Sequence, residues 1–120
     1  MRRAHHDLLA WQQAMALVKQ VYALTASFPS DEKFGLVAQM RRAAVSIPSN
    51  IAEGAARQSN REFSQFLVIA RGSLSELDTQ IRIAQDLGFC AVETELEILI
   101  DRVFGLIGGL LNSTRKAADS

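Results

Sequence analysis

Apolar side chains recur every three or four positions along almost the whole chain, and nowhere do they alternate with polar ones. There is no alternating β-branched run and no Asn-Gly or Asp-Gly turn, so the pattern predicts helices and no strands. A first helix is expected at about 8–27, with Asp7 as its N-cap. It carries two apolar stripes, Leu8, Trp11, Met15, Val18 and Tyr22 in one and Ala10, Ala14, Leu17, Val21, Leu24 and Phe28 in the other. Phe28-Pro29 stops it, because a residue before proline avoids the helical region.

A second helix is expected at about 33–56, with an apolar row of Phe34, Val37, Ala38, Ala44, Val45, Pro48, Ile51, Ala52 and Ala55. Pro48 removes one backbone hydrogen bond and presses its ring on the carbonyl of Ala44. The row keeps its phase on both sides of the proline, which predicts one kinked helix rather than two helices broken at Ile47. The third helix, at about 60–87, opens with a capping box, Ser59-Asn60-Arg61-Glu62, and ends at Gly88 as C-cap. Its core positions, Phe63, Leu67, Ala70, Leu74, Leu77, Ile81, Ala84 and Gly88, alternate steps of four and three, the period of coiled-coil-like packing.

A fourth helix is expected at about 92–113. Leu96, Leu99, Val103, Leu106 and Leu110 form one seam, with Ile100, Phe104, Ile107 and Leu111 beside it. Gly105, Gly108 and Gly109 interrupt it at a cost of roughly 1 kcal/mol each relative to alanine, which close approach of another helix would offset. The polar tail Thr114–Ser120 is expected to fray. Four amphipathic helices with short connections predict an all-α fold, an antiparallel up-down-up-down four-helix bundle, in one domain spanning 1–120.

The 120 residues, 48% of them apolar, suffice for one core. One cysteine, Cys90, excludes an internal disulfide and a Cys-cluster zinc site, and fits a cytoplasmic location. No apolar run approaches the roughly 18–20 residues of a membrane span, and the start, MRRAHHDLLAWQQ, lacks the apolar core of a secretory signal. The expectation is a cytoplasmic protein with no membrane partner.

Thirteen basic and thirteen acidic residues leave a net charge of zero, whereas dedicated nucleic-acid binders usually carry a basic excess. The distribution is uneven. Lys33 to Arg71 holds six basic and two acidic residues; Glu76 to Asp101 holds seven acidic residues and one basic, Arg82. Such polarity either steers a partner or is neutralised between helices or subunits.

Little of the chain suits catalysis. A di-iron bundle needs Glu-x-x-His pairs, and the only histidines, His5 and His6, are terminal. Cys90 has no histidine nearby in sequence, and no glycine-rich phosphate loop follows a strand. The expectation is no catalytic residue, no metal, no cofactor and no small-molecule substrate. What remains is a polar row on the second helix: Gln39, Arg42, Ser46, Asn50, Glu53 and Arg57 share one face at spacings of three or four. It reads either as a binding groove or as a network that fixes helix or subunit register. Glu53 is expected to act structurally, paired with Arg57 or Arg42 or capping groups freed near Pro48. A comparable row on the third helix holds Arg61, Ser64, Arg71, Ser75, Asp78 and Arg82.

The pattern Phe28-Pro29, Gly35-Leu36, Gln39, Arg41-Arg42-Ala43, Ser46-Ile47-Pro48, Asn50-Ile51-Ala52-Glu53-Gly54, Arg57, Ser59, Glu62-Phe63, Phe66-Leu67, Ala70, Gly72-Ser73 and Glu76-Leu77 resembles the four helix bundle protein family, also called the 23S rRNA intervening-sequence protein family. Asp7-Leu8 and Trp11 are similar to it as well. The resemblance implies a small, non-enzymatic bacterial bundle that forms ring-like homo-oligomers, often pentamers. Some such proteins are encoded within intervening sequences of large-subunit ribosomal RNA genes. A related group resembles the accessory variability proteins of retroelements, which are basic and bind nucleic acid and a reverse transcriptase. This chain departs from that group in its zero net charge. Two functions follow as expectations: a homo-oligomeric assembly or adaptor protein that binds itself and a protein partner, or an RNA- or DNA-binding bundle using Arg41, Arg42, Arg57 and Arg61.

Overall fold

The computed structural model describes residues 1–119. They form α1 (Leu9–Thr25), α2 (Leu36–Ala55), α3 (Asn60–Asp86) and α4 (Thr94–Asp119), with short 3-10 turns at Ala4–Asp7 and Ser30–Glu32. Each helix packs on the next, α4 returns to α1, and among the described residues the backbones of the diagonal pairs stay more than 8 Å apart. Early residues of one helix meet late residues of its neighbour: Ser64 of α3 bonds Thr114 of α4, and Gly54 of α2 faces Phe63 and Phe66 of α3. The result is the antiparallel up-down-up-down bundle that the periodicity predicts. No helix among the described residues is long and apolar enough to cross a membrane.

In α1 the second stripe, from Ala10 to Phe28, is the buried one, while Met15 and Tyr22 of the first stripe stay exposed. Asp7 is not the N-cap. It closes the preceding 3-10 turn and pairs with Arg2; Leu8, with extended backbone, takes the cap position with no side-chain bond. That turn is held by Arg3 N–H donating to His6 Nδ1 (3.0 Å) and by Gln12 Nε2 donating to the His6 carbonyl (2.7 Å).

Helix α2 runs unbroken through Pro48, which is buried. It starts later than the sequence pattern predicts, because Ser30–Glu32 forms its own turn, and Phe34 lies outside the helix at 90% exposure. Two seven-residue series define its buried face, Val37, Ala44 and Ile51, and Met40, Ile47 and Gly54. Touching two neighbours, α2 needs a wide face, so Met40, Ala43 and Ile47 enter the core and Val45 leaves it.

Helix α3 follows its sequence signals most closely. Ser59 Oγ accepts from the Glu62 N–H (3.1 Å), and Leu67, Ala70, Leu74, Leu77, Ile81 and Ala84 are buried. Its end is a Schellman motif: Gly88, at φ +78°, donates to Gln85 and Phe89 donates to Ala84, with the Phe89 ring packed on Phe28.

Helix α4 does not fray at Thr114. It continues to Asp119, and Thr114, at 5% exposure, bonds Ser64 Oγ at 2.8 Å. Ser120 lies outside the described residues. The glycines of α4 are not in close helix contact within the subunit: a Cβ on Gly105, Gly108 or Gly109 would meet nothing within 4 Å.

Candidate functional site

The polar row of α2 divides into a packed centre and solvated ends. At its centre Asn50 Nδ2 donates to the Ser46 carbonyl (2.8 Å) and to Ser46 Oγ (2.9 Å), and Ser46 Oγ meets Ser73 Oγ of α3 at 2.9 Å. All three side chains are half-buried, so this centre ties α2 to α3. Gln39, Arg42, Glu53 and Arg57 are exposed. Arg57 donates to Glu53 at 3.4 Å across one helical turn, and its guanidinium lies 4.9 Å from the Phe66 ring. Below this row Gln80 is buried, with Nε2 on Glu76 and Oε1 without a hydrogen-bond partner.

The four arginines Arg41, Arg42, Arg57 and Arg61 do not gather in one place. Arg41 lies fourteen positions before Ala55, the last residue of α2, about 21 Å along the axis at 1.5 Å per residue, and Arg57 lies just past that end. Arg41 is spent locally: Nε donates to Thr25 Oγ1 (2.9 Å), and the guanidinium stacks 4.4 Å from the Tyr22 centroid. Arg57 and Arg61 lie at the other end, where α2 ends and α3 begins. Antiparallel topology brings Arg2, Arg3, Arg115 and Lys116 to that same end. Arg61 and Arg115 line an open cleft of ≈ 570 Å³ between α3 and α4, with Ser64, Gln65 and Asp119. The opposite end carries Asp31, Glu32, Asp86, Glu93 and Glu95. The sequence reading missed the basic end because Arg61 and Arg115 are 54 positions apart in the chain.

Two apolar faces flank α1. Between α1 and α2, Trp11, Met15, Val18, Val45, Pro48 and Ala52 line a shallow groove of ≈ 310 Å³. Between α1 and α4, Leu8, Leu9, Leu106 and Leu110 surround the open backbone of Gly105 and Gly109, in a cleft of ≈ 400 Å³. Leu9 is 60% exposed, Met15 40% and Val45 41%.

None of this forms a reaction centre among the described residues. No three His, Cys, Asp or Glu side chains gather as metal ligands. Burial, with Glu93 nearby, pushes the Cys90 thiol above its ordinary value, which disfavours the nucleophilic thiolate. The histidines stack on Trp11, at 5.1 Å and 5.2 Å between ring centroids.

No curated protein matches the chain significantly. The family model described as 23S rRNA-intervening sequence protein matches residues 6–109, which takes in α1, α2, α3 and the first part of α4, and the chain belongs to that family.

Proposed function

We propose that this protein is a non-enzymatic assembly module, a homo-oligomeric, ring-like adaptor in the cytoplasm, with the pentamer as the size that the family resemblance implies. The observation that carries the reading is the pair of apolar faces beside α1, each with large side chains left in water. Contiguous apolar patches of a few hundred Å² are unusual on monomers and mark interaction surfaces. The polar centre at Ser46, Asn50 and Ser73 is spent inside the bundle, and the thiol environment opposes nucleophilic work. Light scattering at micromolar concentration tests the reading. A mass several times 13.2 kDa is expected, and a mass of 13.2 kDa refutes it.

The second reading is binding of RNA or DNA. The basic end favours it, where Arg57 of the α2–α3 turn, Arg61 of α3 and Arg115 and Lys116 of α4 come together, and so does a family description tied to ribosomal RNA intervening sequences. A ring would repeat that end in each subunit, and multivalency raises affinity without new contacts. RNA binding measured across a salt series tests it, since phosphate contacts release counterions and affinity falls steeply with salt. Absence of binding at low salt leaves the adaptor reading alone.

A further inference from the structure

The end of the bundle opposite the basic one is built from two loops, 26–35 between α1 and α2 and 87–93 between α3 and α4. The Phe28 and Phe89 rings, 5.7 Å apart, tie the two loops into one continuous surface. Large apolar side chains are left in water on it. Phe34 is the extreme case, and Leu87 is 59% and Val92 63% exposed. The antiparallel register extends this surface down the α2/α3 side. Ser46 meets Ser73, so ten residues back along α2 and ten onward along α3 bring Ile83 level with Leu36, next to Phe34. Ile83 is exposed as well.

The charges around these side chains are mostly acidic. Residues 26–35 and 82–95 hold Asp31, Glu32, Asp86, Glu93 and Glu95 against Lys33 and Arg82. Lys33 Nζ lies over the Phe34 ring, 5.6 Å from its centroid. Lys19 and Arg41 stand five or more positions inside their helices, and Arg41 is held by Thr25 and Tyr22. The ion pairs among the described residues are Arg2–Asp7 and Arg57–Glu53, so none of these five carboxylates is neutralised within the subunit. Glu93 and Glu95 line an open cleft of ≈ 520 Å³ with Gln20, Ser27 and Cys90.

We propose that this acidic, apolar end is where the adaptor docks its partner, and that the occupant is a basic amphipathic helix of another protein. The docking surface rests on the adaptor reading and gives the partner a place and a chemistry. The apolar stripe of such a helix covers Phe34, Ile83 and Leu87. Its lysines and arginines reach Asp31, Glu32 and Asp86, and through the cleft Glu93 and Glu95, so charge selects the partner and its orientation. The bundle is 26 × 21 Å across, which a helix of about 14–17 residues spans at 1.5 Å per residue. Nucleic acid and anionic lipid carry the wrong charge for this end. A second copy brings cations at its basic end, but Glu53, Glu62 and Asp119 stand among them.

The test titrates the full chain into a fluorescein-labelled peptide of about 17 residues, made of leucine and lysine with leucine at helical spacing, and reads anisotropy. Saturable binding is expected, weakening as salt rises. A peptide of the same composition in shuffled order presents no apolar face and should bind at least tenfold more weakly. Equal binding of the two overturns the proposal, since charge alone then accounts for it, and so does no binding. Phe34→Ser with Leu87→Ser removes side chains that stand in water, so the fold should survive, as circular dichroism checks, while affinity falls at least tenfold. Unchanged affinity in that folded variant overturns the site. Glu93→Gln with Glu95→Gln should flatten the salt dependence, and an unaltered slope counts against the charge pairing. Light scattering on the same samples keeps the two readings apart. A monomer that binds the peptide refutes assembly and leaves this surface standing; an oligomer that does not bind it refutes this surface alone. Association without peptide that disappears in Phe34→Ser with Leu87→Ser puts a second copy on this end and overturns the partner helix.

Discussion

Gly54 sets the spacing between α2 and α3, and adding one methyl group there should be costly. A Cβ at position 54 would lie 2.7 Å from Phe66 Cβ and 2.9 Å from Phe63 Cδ1, both closer than real Cβ atoms come to other heavy atoms. The Phe63 ring can turn aside, but Phe66 Cβ is fixed to its backbone, so the helices themselves must separate. Overpacking of this kind costs about 1–3 kcal/mol. Replacing glycine by alanine in a helix returns up to about 1 kcal/mol, so the net loss expected for Gly54→Ala is about 0–2 kcal/mol. Gly72 is the control. It lies in the middle of α3, and its Cβ would meet nothing within 4 Å. Gly72→Ala should therefore stabilise by up to about 1 kcal/mol. The difference between the two variants isolates the clash at about 1–3 kcal/mol, and for a chain of this size each kcal/mol corresponds to about 3–6 °C in Tm. Thermal and urea unfolding followed by circular dichroism measure it. If Gly54→Ala melts at or above Gly72→Ala, the close approach of α2 and α3 is wrong.

Three further perturbations separate structural from solvated parts of the same surface. Glu53→Gln should change stability by under about 1 kcal/mol, because the Glu53–Arg57 pair is 3.4 Å long with side chains 56% and 45% exposed; a larger loss in urea unfolding would show Glu53 buried in an assembly. Ser46→Ala should cost about 1–2 kcal/mol, since it removes the contact to Ser73 and one acceptor of Asn50 at about 0.5–1.5 kcal/mol each, and a double-mutant cycle with Ser73→Ala should show strong coupling; strict additivity would contradict the shared bond. Acidification should loosen the N-terminal turn. Desolvation, then His6 and Arg3, lower the His5 pKa in the folded chain, so the unfolded chain binds the proton more readily and stability, full above about pH 6.5, declines as pH falls. The single tryptophan, Trp11, stacks on both rings, so its fluorescence should change with pH through that range and stay flat after His5→Gln with His6→Gln.

Helix α3 was legible in the sequence because its signals are local: a cap three residues from its donor, a strict four-three alternation, and a glycine where positive φ is needed. Other features depend on partners that the chain order hides. Thr114 reads as the start of a polar tail, yet it is buried because Ser64, fifty positions away, bonds it. Phe34 fits the phase of α2, but the 3-10 turn before the helix shifts its start and leaves the ring in water. Asp7 has the chemistry of an N-cap, but Arg2 takes its carboxylate and the turn folds back through His6. The polar row of α2 is a true row. Which members pack and which are solvated follows from where Ser73 sits on α3, and spacing along α2 carries no information on that.

Zero net charge is a sum over a molecule whose charges the fold has sorted, and the sorting redirects the nucleic-acid question. Arg41 is already committed to Thr25 and Tyr22. The positive surface left to a polyanion is then the end carrying Arg57, Arg61, Arg115 and Lys116, which assembly would repeat around a ring. The two groups of arginine should therefore behave differently. Arg41→Ala with Arg42→Ala should leave the salt dependence of RNA binding almost unchanged, because the Arg41 guanidinium is held within the subunit. Arg61→Ala with Arg115→Ala should leave assembly intact and flatten the salt slope by about two counterions per engaged subunit. Filter binding across a salt series, with light scattering on the same samples, reads both effects. A flattened slope from the first pair, with the mass unchanged, would place the polyanion on α2 and overturn this assignment.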